Sequence, residues 1–327
     1  MRFLILGGTV FLGRHIVSAA QTRGHRVTLF NRGKSDPRLF PDVEHLLGDR
    51  DGDLGALELG HWDTVVDTSG YIPSSVGKSA ALLADRAAHY TFISSCAVYA
   101  DVGPTPAKED SPTLPLTGSA FDRVRDYGAL KAACERTLEE HMPGRGLIIR
   151  SAVMAGPSDP TDRFTYWLKR IAAGGDVLVP KPFVGQTQLI DVRDLATWIV
   201  TMAEQGKTGV FNAAREAVPL QTLLEICREA LGSAATFVQV DEEFLLRRRV
   251  QASVDLPLWV PSASSTPWLM NVARANDEGL RGRLLAETAR ATLLWHERQE
   301  RHLTTGLHEI RERELLRAWR ARPSAQS

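Results

Sequence analysis

The sequence predicts an α/β fold: a doubly wound parallel sheet with a smaller cap toward its carboxyl end. Three observations predict it. Short β-branched runs alternate with helical stretches over the first 150 residues. A glycine-rich loop joins the first run to the first helix, and a Tyr-x-x-x-Lys pair, Tyr127 and Lys131, lies in a later helical stretch. Such alternation builds right-handed βαβ units on a parallel sheet, whose ligands bind beyond the carboxyl ends of its strands.

Strands are expected over residues 3–6, 26–30, 43–47, 64–67, 90–94 and 147–150, with helices over 13–22, 75–88 and 121–141. Residues 100–118 carry Pro104, Pro106, Pro112 and Pro115 and read as a rigid surface loop rather than a lid. After Gly156-Pro157 the pattern becomes irregular. Strands at 188–192 and 210–212, flanking a helix at 194–203, are expected to return to the first domain. The division is therefore 1–156 with 187–215 for a Rossmann-type dinucleotide-binding domain, and 157–186 with 216–327 for the substrate-binding cap. The tail, 303–322, reads as an amphipathic helix with Leu307, Ile310, Leu315, Leu316 and Trp319 on its apolar side.

Composition narrows the function. The 327 residues are 43% hydrophobic with zero formal net charge, which argues against broad electrostatic capture of nucleic acid or an anionic membrane. The first apolar run is too short for a signal segment, and no stretch reaches the length of a membrane span. Cys96, Cys134 and Cys227 are widely separated, without a Cys-x-x-Cys or paired His. Neither a disulfide frame nor a metal site is expected, and a reducing cytoplasm is the default.

The segment Gly7, Gly8, Thr9, Val10, Phe11, Leu12, Gly13 stands between a strand and a helix, where a dinucleotide pyrophosphate rests on helix amides. Gly7 fills the tight-turn role and Gly13 the close-packing role, while Val10 takes the place usually held by a middle glycine. A carboxylate at the end of the second strand would bind the adenosine ribose and repel a 2′-phosphate. Asn31-Arg32 stands there instead, so NADP is expected as cofactor with NAD as the alternative. Asp49, after the third strand, is placed either to accept from the adenine amine or to cap the following turn. Thr68 and Ser69 follow the fourth strand and complete the expected cofactor contacts.

Hydride transfer to a carbonyl needs a proton, and the reverse reaction needs a base. A tyrosine serves both if a neighbouring ammonium favours its phenolate, and Lys131 lies one helical turn from Tyr127. Ser94-Ser95 ends the preceding strand, where a hydroxyl can hold the same substrate oxygen.

These pieces, with Ser94-Ser95-Cys96-Ala97-Val98-Tyr99, Tyr127-Gly128-Ala129-Leu130-Lys131, Arg150, Gly156-Pro157 and the run from Gln188 to Ala196, resemble the short-chain dehydrogenase/reductase superfamily. The likeness is to its extended, sugar-nucleotide-epimerase-like form, and it covers roughly the first 215 residues. It implies that Ser95 and Tyr127 are catalytic and that Lys131 also binds the nicotinamide ribose. The Gly-Gly-x-x-x-x-Gly loop is similar to that of an atypical subgroup that includes isoflavone-reductase-like and chloroplast stem-loop-binding proteins. Ser75 stands where many relatives carry Asn. Cys96-Ala97 stands where 4,6-dehydratases carry Asp-Glu, which argues against water elimination.

The expected function is an NAD(P)-dependent oxidoreductase or epimerase acting on a small molecule, with a sugar or nucleotide sugar as the class to test. The alternative is an RNA-binding or regulatory protein on the same fold. A twofold dimer through helices 75–88 and 121–141 is expected from the likeness, with Ala80, Ala81, Ala87, Ala132 and Ala133 as the outward small residues. Cys96 reads as a buried thiol, Arg247-Arg248-Arg249 as a solvated face and His15 as a packing or phosphate-contacting residue. Trp259 and Trp268 would either wall a substrate pocket or pack the cap.

Overall fold

Strands covered on both faces need apolar residues at every position, and the first strand meets that demand: Phe3, Leu4, Ile5 and Leu6 are at most 1% exposed. The structure, a computed structural model, describes residues 1–36, 38–100, 105–118, 121–181, 185–262 and 269–322. In chain order the first elements are β1 (Arg2–Leu6), α1 (Phe11–Thr22), β2 (Arg26–Asn31), β3 (Glu44–Leu47), β4 (Trp62–Asp67), α2 (Pro73–Leu83), β5 (Ala87–Ser95), α3 (Tyr127–His141) and β6 (Gly146–Ser151). There follow β7 (Val153–Ala155), α4 (Thr165–Ala172), β8 (Asp176–Lys181), β9 (Gln186–Thr187), β10 (Leu189–Asp191), α5 (Val192–Glu204), β11 (Gly209–Ala213) and β12 (Val218–Pro219). The last are α6 (Leu220–Ala230), β13 (Thr236–Asp241), α7 (Glu242–Arg247), α8 (Ala273–Asp277), α9 (Leu285–Glu297) and α10 (Glu309–Arg320).

The chain divides into two compact units. The first comprises Met1–Met154, Leu189–Glu216 and Trp268–Gly282; the second comprises Ala155–Gln188, Ala217–Pro267 and Arg283–Ser327. In the first unit seven parallel strands run in the order β11-β6-β5-β4-β1-β2-β3. This is the Rossmann-type sheet expected from the sequence. Alternate residues of β1 face opposite layers: Phe3 and Ile5 join α1 and α5, while Leu4 and Leu6 join residues of α2 and α3. The order reverses between β1 and β4, so the crevice at their carboxyl ends is the topological switch point.

The second unit has its own short parallel pair, β8 with β13, and an antiparallel pair, β9 with β12. Around them pack α4, α6, α7, α9 and α10. A buried ion pair fastens its last helix, with Arg170 Nε donating to Glu312 and the Leu178 amide donating to the same carboxylate at 2.8 Å.

Several expected boundaries move. The helix expected over 75–88 ends at Leu83, because Ala87 already pairs with Trp62 in the sheet. The helix expected from 121 begins at Tyr127, because Asp122 folds residues 122–126 into a turn, accepting from the Val124 and Arg125 amides. The small residues proposed for a dimer do not form an outward face. Ala80, Ala87, Ala132 and Ala133 are buried within the monomer, and of the five only Ala81 is exposed.

A third segment, within 216–327, joins the first unit. Ala107 exchanges backbone bonds with Leu269 and Asn271 at 2.8 Å, and Trp198 Nε1 donates to the Glu278 carbonyl at 2.9 Å. The tail helix spans Glu309–Arg320, with His308 capping it through the Ile310 amide at 3.3 Å. Ile310 is 56% exposed, and the charged Glu312 is buried instead.

Candidate active site

The loop after β1 is built for close approach. Gly7 has φ +108°, and a Cβ there would meet Thr68 Oγ1 at 2.5 Å. A Cβ on Gly13 would meet Gly8 Cα at 2.8 Å, so helix and loop touch through bare backbone. Thr9, Phe11 and Leu12 are buried, whereas Val10 is half exposed. Val10 is the N-cap of α1 and gives no side-chain cap, which leaves first-turn amides available to an anion. Thr68 Oγ1 and Ser69 Oγ both donate to the Leu6 carbonyl, at 3.0 and 3.2 Å, and so close the β4 side of the crevice.

At the end of β2, Asn31 is occupied in holding the loop. Its Nδ2 donates to the Gly7 carbonyl at 3.1 Å and its Oδ1 accepts from the Gly33 amide at 2.8 Å. Arg32 beside it is exposed. Asp49 accepts from the Asp51 amide at 3.1 Å, which is the turn-capping role of its two readings.

The Tyr-x-x-x-Lys pair opens α3. A Cβ on Gly128 would meet the Ala97 carbonyl oxygen at 2.0 Å, so this helix starts directly against a short 3-10 turn, Cys96–Val98. That contact brings half-buried Tyr127 beside the turn that Ser95 caps, with Ser95 Oγ accepting from the Ala97 amide at 3.2 Å. Ser94, one residue earlier on the strand, points the other way and donates to buried Glu135. Ser95 is thus the serine that caps the turn against α3, and Ser94 belongs to a core network. In that network Arg150 forks onto Glu135 at 2.7 Å and donates to Tyr99 Oη at 3.0 Å.

Lys131 is 3% exposed. Its Nζ donates to the Gly70 carbonyl at 2.7 Å and to the Ile93 carbonyl, and the Phe92 ring lies 4.1 Å away. Burial lowers its pKa from 10.5 to about 8, against the opposing pull of the Asp67 carboxylate.

Sequence reading missed the group that supplies this pull. Asp67 is fully buried at the end of β4 and is held by Arg50 at 2.6 and 2.8 Å and by Tyr90 Oη at 2.9 Å. Burial alone would raise its pKa, but Arg50 outweighs that and holds the carboxyl below its ordinary value. The signal was present: an acid closing the apolar run Val65-Val66 demands a buried cation, and Arg50 follows Gly48-Asp49.

Other singled-out residues fall elsewhere. Cys96 is partly exposed rather than buried, because it sits on the 3-10 turn. His15 packs edge-on to Phe11. Arg247 pairs with Glu243 at 2.7 Å, and Arg248 lies over Phe244. Trp259 is 3% exposed and Trp268 lies outside the described residues. Among the described residues no cluster of His, Cys, Asp and Glu could hold a metal, and no helix is long and apolar enough to cross a membrane.

Residues 3–214 match the NAD dependent epimerase/dehydratase family, to which the chain belongs. Among curated proteins it is similar to the dTDP-4-dehydrorhamnose reductase of Streptomyces griseus, 28% identical over 65% of this chain and 70% of that protein. It is also 28% identical to the chloroplast stem-loop binding protein of 41 kDa b of Arabidopsis thaliana, over 71% of this chain. The chain spans 63% of that relative's length. Among solved structures, the Bordetella bronchiseptica enzyme WbmG in complex with NAD and UDP shares the fold. Its TM-score is 0.68 at 18% identity, over 91% of this chain and 95% of that one.

Proposed function

We propose that this protein moves a hydride between a bound nicotinamide and a carbinol or carbonyl carbon of a nucleotide-sugar substrate, as an oxidoreductase or epimerase. The observation that carries this reading is the Tyr127–Lys131 pair at the start of α3, docked against the turn capped by Ser95.

The crevice suits a dinucleotide. Gly7 and Gly13 leave room that side chains would fill, and the uncapped start of α1 offers amides to a pyrophosphate. When bound, the nicotinamide supplies the hydride donor or acceptor. Ser95 Oγ accepts from the Ala97 amide and keeps its own proton to donate to the substrate oxygen. Tyr127 gives or takes the proton on that oxygen. Two of the three Lys131 donors are used by carbonyls, which leaves one for a ribose hydroxyl, while its charge favours the Tyr127 phenolate. An epimerase would use the same groups on both faces of the substrate.

NADP is the preferred cofactor in this reading, because Asn31 puts no carboxylate at the end of β2 and Arg32 is exposed beside it. The nucleotide-sugar class rests on the likeness to a dTDP-sugar reductase and to an enzyme solved with UDP. Cys96, Cys134 and Cys227 are thiols outside any disulfide, which fits a reducing compartment. The RNA-binding alternative gains no support from the arginine run, where Arg247 is spent on Glu243.

The test is incubation with NADP or NAD and a panel of UDP- and dTDP-sugars, following nicotinamide absorbance and the stereochemistry of the recovered sugar. Cofactor reduction or oxidation, or a new epimer, is expected for at least one sugar. If the protein binds cofactor but transforms no nucleotide sugar, the substrate class is wrong.

A further inference from the structure

Tyr71 belongs to no motif, yet it stands beside the pair at the start of α3. It follows Gly70 at the exit from β4 and is 51% exposed. Its ring centroid lies 6.5 Å from that of Tyr127, with the planes inclined by 41°. Lys131 Nζ lies 5.4 Å from the Tyr71 centroid, within the range over which a ring face attracts a cation. On its other sides the ammonium meets the fully buried Phe92 ring at 4.1 Å and the Gly70 and Ile93 carbonyls.

We infer that Tyr71 is a positioning residue of this site: its ring closes the exposed side of an aromatic and carbonyl cage that holds the Lys131 ammonium one turn from Tyr127. The cage has one wall that can be changed without opening the core, and Tyr71 is that wall. The charged and titratable groups that act on the ammonium come from several elements. Asp67 and Arg50 lie at the end of β4 and after β3, and Cys134 and Glu135 lie on α3 itself. All of these are unchanged when Tyr71 is replaced, so a Tyr71 variant isolates the ring.

The inference rests on Lys131 serving the reaction, so its test reads the ammonium directly, without turnover. Full-length protein with carbon-13 at lysine Cε is titrated by NMR, with Lys131 assigned through Lys131→Met. Tyr71→Phe keeps the ring and should titrate like the parent. Tyr71→Leu keeps bulk but loses the ring face, so the Lys131 titration should move down by about half a pH unit, the size expected for a partly exposed ring–cation contact. The upper limb of any pH–rate profile should move with it. A titration unmoved by Tyr71→Leu overturns the inference, as does a Tyr71→Phe shift equal to that of Tyr71→Leu. A shift in Tyr71→Leu alone upholds the cage even if no substrate is turned over, which separates this inference from the catalytic reading.

Discussion

Lys131 Nζ donates to the Gly70 carbonyl at 2.7 Å, so the ammonium on α3 is tied to the exit of β4, across the crevice from the glycine loop. This bond keeps a buried cation in place at a cost. The Lys131 pKa falls from 10.5 to about 8 on folding, mainly through burial.

The sign of the resulting pH dependence follows. Between about pH 8 and 10.5 the unfolded chain holds the Lys131 proton more tightly than the folded one, so folding gains stability as pH rises through that window. The cost of the buried ammonium is fully present below it. Lys131→Met has no such group, so the parent should gain thermal stability relative to the variant as pH rises from about 8 to 10.5. Melting curves of both proteins across that range check this. A constant gap would mean that the lysine is solvated.

A second prediction concerns Arg50, which forks onto Asp67 at 2.6 and 2.8 Å. Arg50→Met leaves a buried carboxylate without its cation, a loss typically of about 3–5 kcal/mol. Asp67→Asn in the same chain should recover part of it, because no uncompensated charge then remains. Urea unfolding of the single and double variants measures both. Equal stability of Arg50→Met and the parent would show that the pair contributes nothing.

The sheet and the placing of Tyr127 and Lys131 on one helix were legible in the sequence because both are written locally. Apolar runs such as Phe3 to Leu6 mark strands, and the spacing of Tyr127 and Lys131 marks one helix face. What was not legible depends on contacts distant along the chain. Arg50 meets Asp67 only because β3 and β4 run parallel and finish at the same carboxyl end of the sheet. Tyr71 meets Lys131 only because α3 returns over β4 and β5. The outward alanine face failed for the same reason: periodicity gives a face but not what covers it, and Ala132 turned out to pack with Val98 and Tyr99.

Cofactor preference gives a third prediction. Arg32 is exposed at the end of β2, and Asn31 is held by Gly7 and Gly33. Arg32→Ala should weaken NADP by about 10- to 100-fold, the worth of a charge-assisted hydrogen bond, with little effect on NAD. Calorimetric titration of both cofactors decides. An unchanged ratio would remove Arg32 from the site.

The central claim is that Tyr127 carries the proton, and the kinetics of Tyr127→Phe test it most directly. The substitution removes the hydroxyl and leaves the ring, so cofactor affinity should stay at the parent value. The account predicts that kcat falls by about 10²–10⁴-fold, the usual contribution of a general acid–base group. A variant with near-parent kcat and intact cofactor binding would contradict it.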